Sequence, residues 1–241
     1  MATESAQLER EHAVCLSNRD QALKSARALR SRERLRVTLR TPLSLLSRSA
    51  PRVQFLMDGL RKLGCDPGPI DEFIVCRRAS DDKMTAGFVP NLGDQAAYKP
   101  QARGSARAAL GSARARAHRA RAQVILCEDQ QQTQHPSLVA AMLAHELVHA
   151  YDQCRARVRW SDCRHHACSE VRASNLSGEC DFANEVARGH FAITSQQRAC
   201  VRRRAMLSVG FNPHCSAVAK AAVEHVFDAC YHDTAPFDDI P

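Results

Sequence analysis

The stretch AMLAHELVHAYD, residues 141–152, places His145, Glu146 and His149 in an HExxH pattern. On a helix, residues four apart lie one turn above each other on one face, so both imidazoles can point at one metal ion. Glu146 falls beside that axis, where its carboxylate can exchange protons with water instead of binding the ion. The pattern predicts a zinc ion (Zn2+) held by His145 and His149, with Glu146 as the catalytic acid and base.

The flanking sequence favours this interpretation. In QHPSLVAAMLAHELVHAYDQC, residues 134–154, Pro136 suits a first helical turn and no later Gly or Pro interrupts the helix. The preceding AQVILCED, residues 122–129, has the central apolar run of a buried strand. The alternative is an ordinary buried helix whose two histidines have common hydrogen-bond partners, because HExxH also occurs by chance.

A catalytic zinc takes three protein ligands and leaves its fourth position to water. A metzincin would need Gly at position 152 and His at 155, where this chain has Asp152 and Arg155, so that class is excluded. In a thermolysin-like arrangement the third ligand is a Glu on a following helix, and Glu170 lies 170 − 149 = 21 residues past His149. Glu170 is therefore the predicted third ligand.

Two further sets of residues are weighed against Glu170. Asp152 is the alternative third ligand, but its position favours a supporting role in which it accepts a hydrogen bond from a ligand imidazole or a neighbouring group. His165 and His166 are candidates for the metal or for stabilising the oxyanion of the reaction. Histidines of this kind are more often surface or core residues.

The chain as a whole predicts an α+β fold of the zincin-like metalloprotease type, with a small sheet packed on the HExxH helix and a mainly helical C-terminal half. Residues 1–50 are polar and rich in Arg and Ser, and are predicted to be a flexible basic segment. The protease domain is predicted over 51–241, with a low-complexity Ala/Arg insertion at about 98–122. The motifs that support this division are a helical RVQFLMDGLRKLGC (52–65, with Val53, Leu56, Leu60 and Leu63 at helical spacing), a strand IDEFIVCR (70–77), and a helical CSAVAKAAVEHVFDACYHD (215–233).

Charge and cysteine content bound the partners and the compartment. Residues 101–122 carry six Arg and no acid, so the net charge of +8 leaves 8 − 6 = +2 for the rest of the chain. Nucleic-acid binding through this segment is one alternative function, although the lack of interleaved aromatics favours a solvated stretch and no nucleic acid is expected. Eleven cysteines without any CxxC pair argue against a zinc ribbon and favour several disulfides over buried thiols, with at least one cysteine left over. No run is apolar enough to span a membrane.

Four stretches together resemble a known family: HELVHAYDQCR (145–155), RHHACSEVRASNLSGEC (164–180), CVRRRAMLS (200–208) and VFDACYHDTAPFDDIP (226–241). They are similar to the mitochondrial inner-membrane metalloproteases that mature a precursor of the ATP synthase proton-channel subunit, known in animals as a Ku-binding protein. The resemblance is good over about 122–241 and weak over 51–97.

The resemblance implies a zinc endopeptidase of the mitochondrial intermembrane space that is peripheral on the inner membrane. It implies His145 and His149 as zinc ligands, Glu146 as the acid/base, and a protein substrate that is a precursor of an ATP synthase membrane subunit. A second role in ATP synthase assembly, independent of proteolysis, is implied as well. A non-proteolytic assembly chaperone is therefore the main alternative function.

Overall fold

The structure is a computed structural model that describes residues 10–24, 49–78, 85–90, 122–128, 136–191 and 195–241. Residues 10–24 are helical and are called α1 here. The later elements are α2 (Ser49–Lys62), α3 (Ile70–Phe73), β1 (Ile74–Arg77), β2 (Ala86–Val89), β3 (Gln123–Cys127), α4 (Pro136–Arg155), α5 (Cys163–Leu176), α6 (Phe182–Ala187), α7 (Gln196–Phe211), a 3-10 turn (Ser216–Val218) and α8 (Ala219–Tyr231). The predicted α+β class, with a small sheet and a mainly helical C-terminal half, is confirmed.

The three strands form one sheet in the order β1-β3-β2. β1 runs parallel to β3, with Ile74 opposite Val124, and β2 runs antiparallel to β3, with Phe88 opposite the same Val124. β3 is central because QVILC is the most continuous apolar run of the three, and it buries Val124 and Leu126 completely. β2 is therefore an edge strand among the described residues.

Helix α4 carries the HExxH pattern. It is the last element of the N-terminal half (α1 to α4 with the sheet) and borders the C-terminal half (α5 to α8). It begins at Pro136, as predicted, because the fixed φ of proline suits a first helical turn where no backbone N–H is needed. Its apolar side chains Leu143, Leu147 and Val148 are fully buried. The helix packs on α2, on α5 and on β2 and β3.

Helix α5 belongs to two hydrophobic cores at once. Ala173 and Leu176 lie in the core that α2, the sheet and α4 build. Ala167 and Val171 lie in a second core, built mainly with α7 and α8. Because α5 faces both cores, its position relative to α4 depends on the packing of both halves.

Five disulfides connect these elements, which confirms the prediction of several disulfides. Two of them lie in the N-terminal half and three in the C-terminal half: Cys15–Cys76, Cys65–Cys154, Cys163–Cys215, Cys168–Cys230 and Cys180–Cys200. The eleventh cysteine, Cys127, keeps its thiol and is buried at the end of β3.

The structure differs from the sequence prediction at the N-terminus. Residues 10–24 fall in the segment predicted to be flexible, yet they are helical, and Cys15 is fully buried in a disulfide with Cys76 of β1. Arg19 is also buried and donates to the carbonyl of Ile74 at 3.1 Å. Composition did not reveal this because the helix is held by one covalent bond and by a few contacts distant in sequence.

Two smaller predictions are also wrong in part. The strand predicted over 70–77 begins only at Ile74, because Pro69 and the acidic residues Asp71 and Glu72 start a short helix first. In α2, Val53, Leu56 and Leu60 are buried as their spacing predicts, but Leu63 follows the last helical residue and is exposed.

Two sequence features lie outside the described residues. These are residues 25–48 of the basic N-terminal segment and residues 98–121 of the Ala/Arg insertion. Among the helices within the described ranges, none combines the length and the apolar composition needed to cross a bilayer.

Candidate active site

His145, His149 and Glu170 come together at the contact between α4 and α5. One ligand atom from each residue lies within 4.8 Å of the others. Nε2 of His145 is 3.3 Å from Oε2 of Glu170, and Nε2 of His149 is 3.5 Å from Oε1 of the same carboxylate. These side chains are at most 15% exposed. These three candidate ligands, called the metal-binding group below, can hold one metal ion with two imidazoles and one carboxylate.

A chain of hydrogen bonds fixes the ring of His149. Oγ of Ser169 donates to Oδ2 of Asp152 at 3.0 Å, so it accepts from Nδ1 of His149 at 2.8 Å. The hydrogen of this imidazole therefore sits on Nδ1 and its Nε2 lone pair faces Glu170. Burial lowers the pKa of His149 to about 3, which keeps the ring neutral.

Asp152 is anchored by a buried arginine. Nε of Arg172 donates to Oδ1 of Asp152 at 2.9 Å, and the Arg172 side chain has no solvent exposure. Burial raises the pKa of Asp152, with Arg172 opposing the rise. The structure places Asp152 beyond Ser169 and outside the metal-binding group of the described residues, so its contact with His149 runs through the serine hydroxyl.

A second carboxylate lies behind His145. Oε2 of Glu179 is 3.5 Å from Nδ1 of His145, and its Oε1 forms an ion pair with Arg204 of α7. Burial opposes ionisation of Glu179, but His145 and Arg204 outweigh it and the pKa is lowered. With a carboxylate at Nδ1, Nε2 is the ring nitrogen of His145 that a metal ion can take in place of a proton.

The same carboxylates act on the ionisation of His145 and Glu170. Burial alone lowers the pKa of His145, but the nearby carboxylates of Glu170 and Glu179 raise it well above its ordinary value. Burial alone raises the pKa of Glu170, but the hydrogen bond from His166 and the positive charge on His145 hold it well below its ordinary value. Glu170 is thus a carboxylate anion, the form that binds metal.

Glu146 lies beside the metal-binding group and not in it. It is 7% exposed, and burial raises its pKa from 4.5 to about 7, while the positive charge on His145 opposes that rise. The backbone of Phe88 in β2 forms a hydrogen bond to its carboxylate. A carboxyl group that ionises near neutral pH is suited to accept and return protons.

The two remaining candidates, His165 and His166, lie in different environments. His166 lines the same cleft as Glu146, and its Nε2 lies 3.2 Å from Oε1 of Glu170. His165 is on the surface, where its Nδ1 accepts the backbone N–H of Arg159 at 3.1 Å.

These groups open into a cleft of about 790 Å³ between β2, α4, α5 and α7. One side is the edge strand β2, from Ala86 to Phe88. Other lining residues are apolar and partly exposed, among them Leu138, Leu207 and Phe211. The cleft joins a backbone edge, an apolar wall and the buried polar group.

Sequence reasoning missed Ser169, Arg172, Glu179 and Asn212. Ser169 and Arg172 of α5 contact residues of α4, whereas Glu179 and Asn212 lie shortly after the ends of α5 and α7. Such contacts between elements leave no periodic pattern in the sequence. The only local signal was Gly178 before Glu179, since glycine marks a turn that redirects the chain.

The model of the peptidase M76 family matches residues 40–238 of this chain. The chain is 33% identical to the mitochondrial inner membrane protease ATP23 of Malassezia globosa over 80% of this chain and 73% of that protein. It is 38% identical to the protein of that name from Neosartorya fischeri, over 79% and 68% of the two chains. A shorter match, 48% identical over 41% of this chain and 46% of the relative, is to the protein of that name from Mycosarcoma maydis.

No solved structure matches the chain at a significant level. The family match covers most of the chain and includes every residue of the metal-binding group. A peptidase acts on proteins or peptides, and the His-His-Glu group is the kind of site that a metallopeptidase uses. The chain therefore belongs to the peptidase M76 family and is a metallopeptidase.

Proposed function

We propose that this chain is a zinc-dependent endopeptidase with a zincin-like active site. The observation that carries the proposal is the convergence of His145, His149 and Glu170 on one buried point, with Glu146 beside it, in a chain of the peptidase M76 family. The third ligand in this proposal is Glu170, and Asp152 supports His149 through Ser169.

The residues fit zinc in three respects. Zinc bonds of about 2.0–2.2 Å place tetrahedral ligands about 3.3–3.6 Å apart, and Glu170 lies 3.3 and 3.5 Å from the two Nε2 atoms. Oε2 of Glu170 is buried without a hydrogen bond, so it lacks the partner that a metal supplies. The ring of His149 is neutral and has its hydrogen on Nδ1, so its Nε2 can bind zinc directly.

His145, His149 and Glu170 would hold a zinc ion, which would polarise the scissile carbonyl and lower the pKa of its bound water to about 7. The protein supplies the proton transfers. Glu146 takes a proton from the attacking water and returns one to the leaving amine, and its raised pKa lets it do both near neutral pH. The Phe88 backbone fixes the orientation of the Glu146 carboxylate.

The substrate is an extended polypeptide in this proposal. One edge of β2 pairs with no other strand of the described residues and lines the cleft beside Glu146, and a peptide in extended form can add to such an edge by backbone hydrogen bonds. The apolar side chains of Leu138 and Phe211 then meet the side chains of the peptide. Backbone hydrogen bonding favours polypeptides in general, and the apolar wall favours large apolar side chains.

We infer the cellular role from the family resemblance of the sequence, and the names of the relatives support only a protease of the mitochondrial inner membrane. The substrate is the precursor of an ATP synthase membrane subunit, and the protein also assists ATP synthase assembly. The protein acts in the mitochondrial intermembrane space, peripheral on the inner membrane. Five disulfides support an oxidising compartment.

The test is the variant Glu146→Gln, with Glu224→Gln on the exposed face of α8 as its matched control. We expect about one zinc per chain in the parent and in both variants, because Glu146 does not bind the ion. Peptidase activity should fall by about 10²–10⁴-fold in Glu146→Gln only, since proton transfer is lost. Zinc content by elemental analysis and cleavage of the precursor are measured on the same samples.

A parent protein that is folded and binds no zinc overturns the proposal. So does a Glu146→Gln protein that cleaves at the parental rate. A parent that binds zinc and never cleaves, while ATP synthase assembly depends on its presence, is the result that the assembly chaperone requires.

A further inference from the structure

His166 lies between Asn212, which follows the last residue of α7, and the predicted metal ligand Glu170. Nδ1 of His166 is 3.1 Å from Nδ2 of Asn212, and Nε2 is 3.2 Å from Oε1 of Glu170. The side chain of His166 is 13% exposed. Both ring nitrogens therefore have a partner inside the protein.

The hydrogen-bond network determines which end of the Asn212 amide faces His166. Oδ1 of Asn212 accepts the backbone N–H of His214 at 3.0 Å, so this end is the oxygen. The other end is then the NH2 group, which lies 3.4 Å from the carbonyl oxygen of Trp160 and 3.1 Å from His166. Asn212 is a donor toward His166.

This donor fixes the tautomer of His166. Because Nδ1 accepts from Asn212, the ring hydrogen is on Nε2, and Nε2–H donates to Oε1 of Glu170. The opposite tautomer would direct a lone pair at a carboxylate oxygen and an N–H at an NH2 group. The Trp160 ring, edge to face at 6.0 Å, packs against the imidazole and restricts its rotation.

The two oxygens of Glu170 thus have different surroundings. Oε1 accepts a hydrogen bond from His166, whereas Oε2 is buried without a hydrogen bond and lies 3.3 Å from Nε2 of His145. We propose that Asn212 and His166 are positioning residues that hold Oε1 and reserve Oε2 of Glu170 as the ligand atom. This inference rests on the metal centre proposed above.

The test compares His166→Gln with His166→Asn. The amide nitrogen of Gln lies close to the position of Nε2 and can still donate to Glu170, whereas the shorter Asn reaches only the position of Nδ1. His165→Asn, on the surface beside the site, is the matched control. Zinc affinity is measured by competition with a chelator, and coordination by the visible absorption spectrum of the cobalt-substituted protein.

We expect His166→Asn to lose about 10–100-fold in zinc affinity and to change the cobalt spectrum. His166→Gln should keep most of the affinity and the parental spectrum, and His165→Asn should match the parent. A second variant, Asn212→Leu, has an apolar side chain of similar size and removes the donor toward His166 without adding a charge. It should also lose zinc affinity, although it does not touch Glu170.

Equal zinc affinity in the parent, His166→Asn and Asn212→Leu overturns the inference. So does an equal loss in His166→Gln and His166→Asn with unchanged melting temperatures of the metal-free proteins, because the donor at Nε2 would then not matter. A parent that binds no zinc contradicts the metal centre itself, and this result is distinguished by the zinc content of the parent alone.

Discussion

Gly178 shows how one backbone angle places a functional side chain. Its φ is +89°, a backbone conformation that residues other than glycine rarely adopt, and it follows Ser177, the C-cap residue of α5. The turn brings the next residue, Glu179, to 3.5 Å from Nδ1 of His145. A Cβ atom on Gly178 would overlap the guanidinium of Arg52, which is buried and pairs with Asp181.

Gly178→Ala should therefore be more destabilising than Gly189→Ala, its matched control. Gly189 has a similar φ of +83°, but a Cβ there meets nothing within 4 Å. We expect backbone strain to lower the free energy of unfolding of both variants by about 1–3 kcal/mol. In Gly178→Ala the displacement of Arg52 should lower it further. Urea unfolding of the metal-free proteins measures the difference. Equal losses would contradict the role given to Arg52.

At this scale the sequence predicts residues whose spacing a helix imposes. His145 and His149 are one turn apart on α4, and Glu170 was predicted from the spacing of a thermolysin-like site. The structure brings the three within 4.8 Å of one another, and metal binding by them stays a prediction. Glu179 and Asn212 could not be predicted, because their positions depend on how α5 ends and on how α7 packs. His166 was a candidate only by its residue type.

At the scale of elements, α6 and α7 are joined through one buried carboxylate. Glu185 of α6 has no solvent exposure and accepts from Arg188, Gln196 and Arg203. Burial alone would raise the pKa of Glu185, but these hydrogen bonds outweigh it and lower the pKa to about 2. The ionised carboxylate therefore stabilises the contact between the two helices.

The sign of this linkage gives a pH dependence. A folded pKa of about 2 lies below the ordinary value of about 4.3, so the stabilising effect is present above the ordinary value and is lost as the pH falls toward 2. Glu185→Gln should thus be less stable than the parent at pH 7, and the gap should narrow between about pH 4.3 and pH 2. Urea unfolding at several pH values tests this.

The control for this experiment is Glu224→Gln, an exposed carboxylate on α8 that pairs with Arg202. Its difference from the parent should be small at every pH, as is usual for exposed ion pairs. A gap for Glu185→Gln that stays constant from pH 7 to pH 3 would contradict the linkage.

The prediction of elements succeeded where the apolar pattern was long and failed where the element was short. Helix α4 and strand β3 have continuous apolar patterns, and both lie where the sequence places them. The strand predicted over 70–77 includes a four-residue helix, and β2 was not predicted at all. Such short elements take their conformation from the partners that they pack against.

At the scale of the whole molecule, disulfides link elements within each half, and non-covalent contacts link the two halves. The eleven cysteines all lie within the described ranges, and no disulfide among them joins the N-terminal pair of bridges to the C-terminal three. The main helix contact between the halves is the packing of α4 on α5, with the buried pair of Asp152 and Arg172, and Arg52 of α2 also pairs with Asp181. The metal-binding group spans this non-covalent contact.

The three C-terminal disulfides should differ in their effect on stability. Cys168–Cys230 closes a separation of 62 residues and Cys180–Cys200 one of only 20. Constraint of the unfolded chain grows with the logarithm of loop length, so replacing the first pair by serine should cost about 1 kcal/mol more than replacing the second. Denaturant unfolding of the two double variants measures this, and a larger cost for the shorter loop would contradict it.

The grouping of the disulfides also determines which backbone cuts would divide the molecule. Cutting any one peptide bond between residues 15 and 154, or between 163 and 230, leaves both fragments joined through sulfur. In the connection from α4 to α5, between Cys154 and Cys163, no bridge spans the cut. A cut there separates a fragment that carries His145 and His149 from one that carries Glu170. The connection between Cys154 and Cys163 is thus the interior stretch that no disulfide spans, and cutting it would place the predicted metal ligands on two separate fragments.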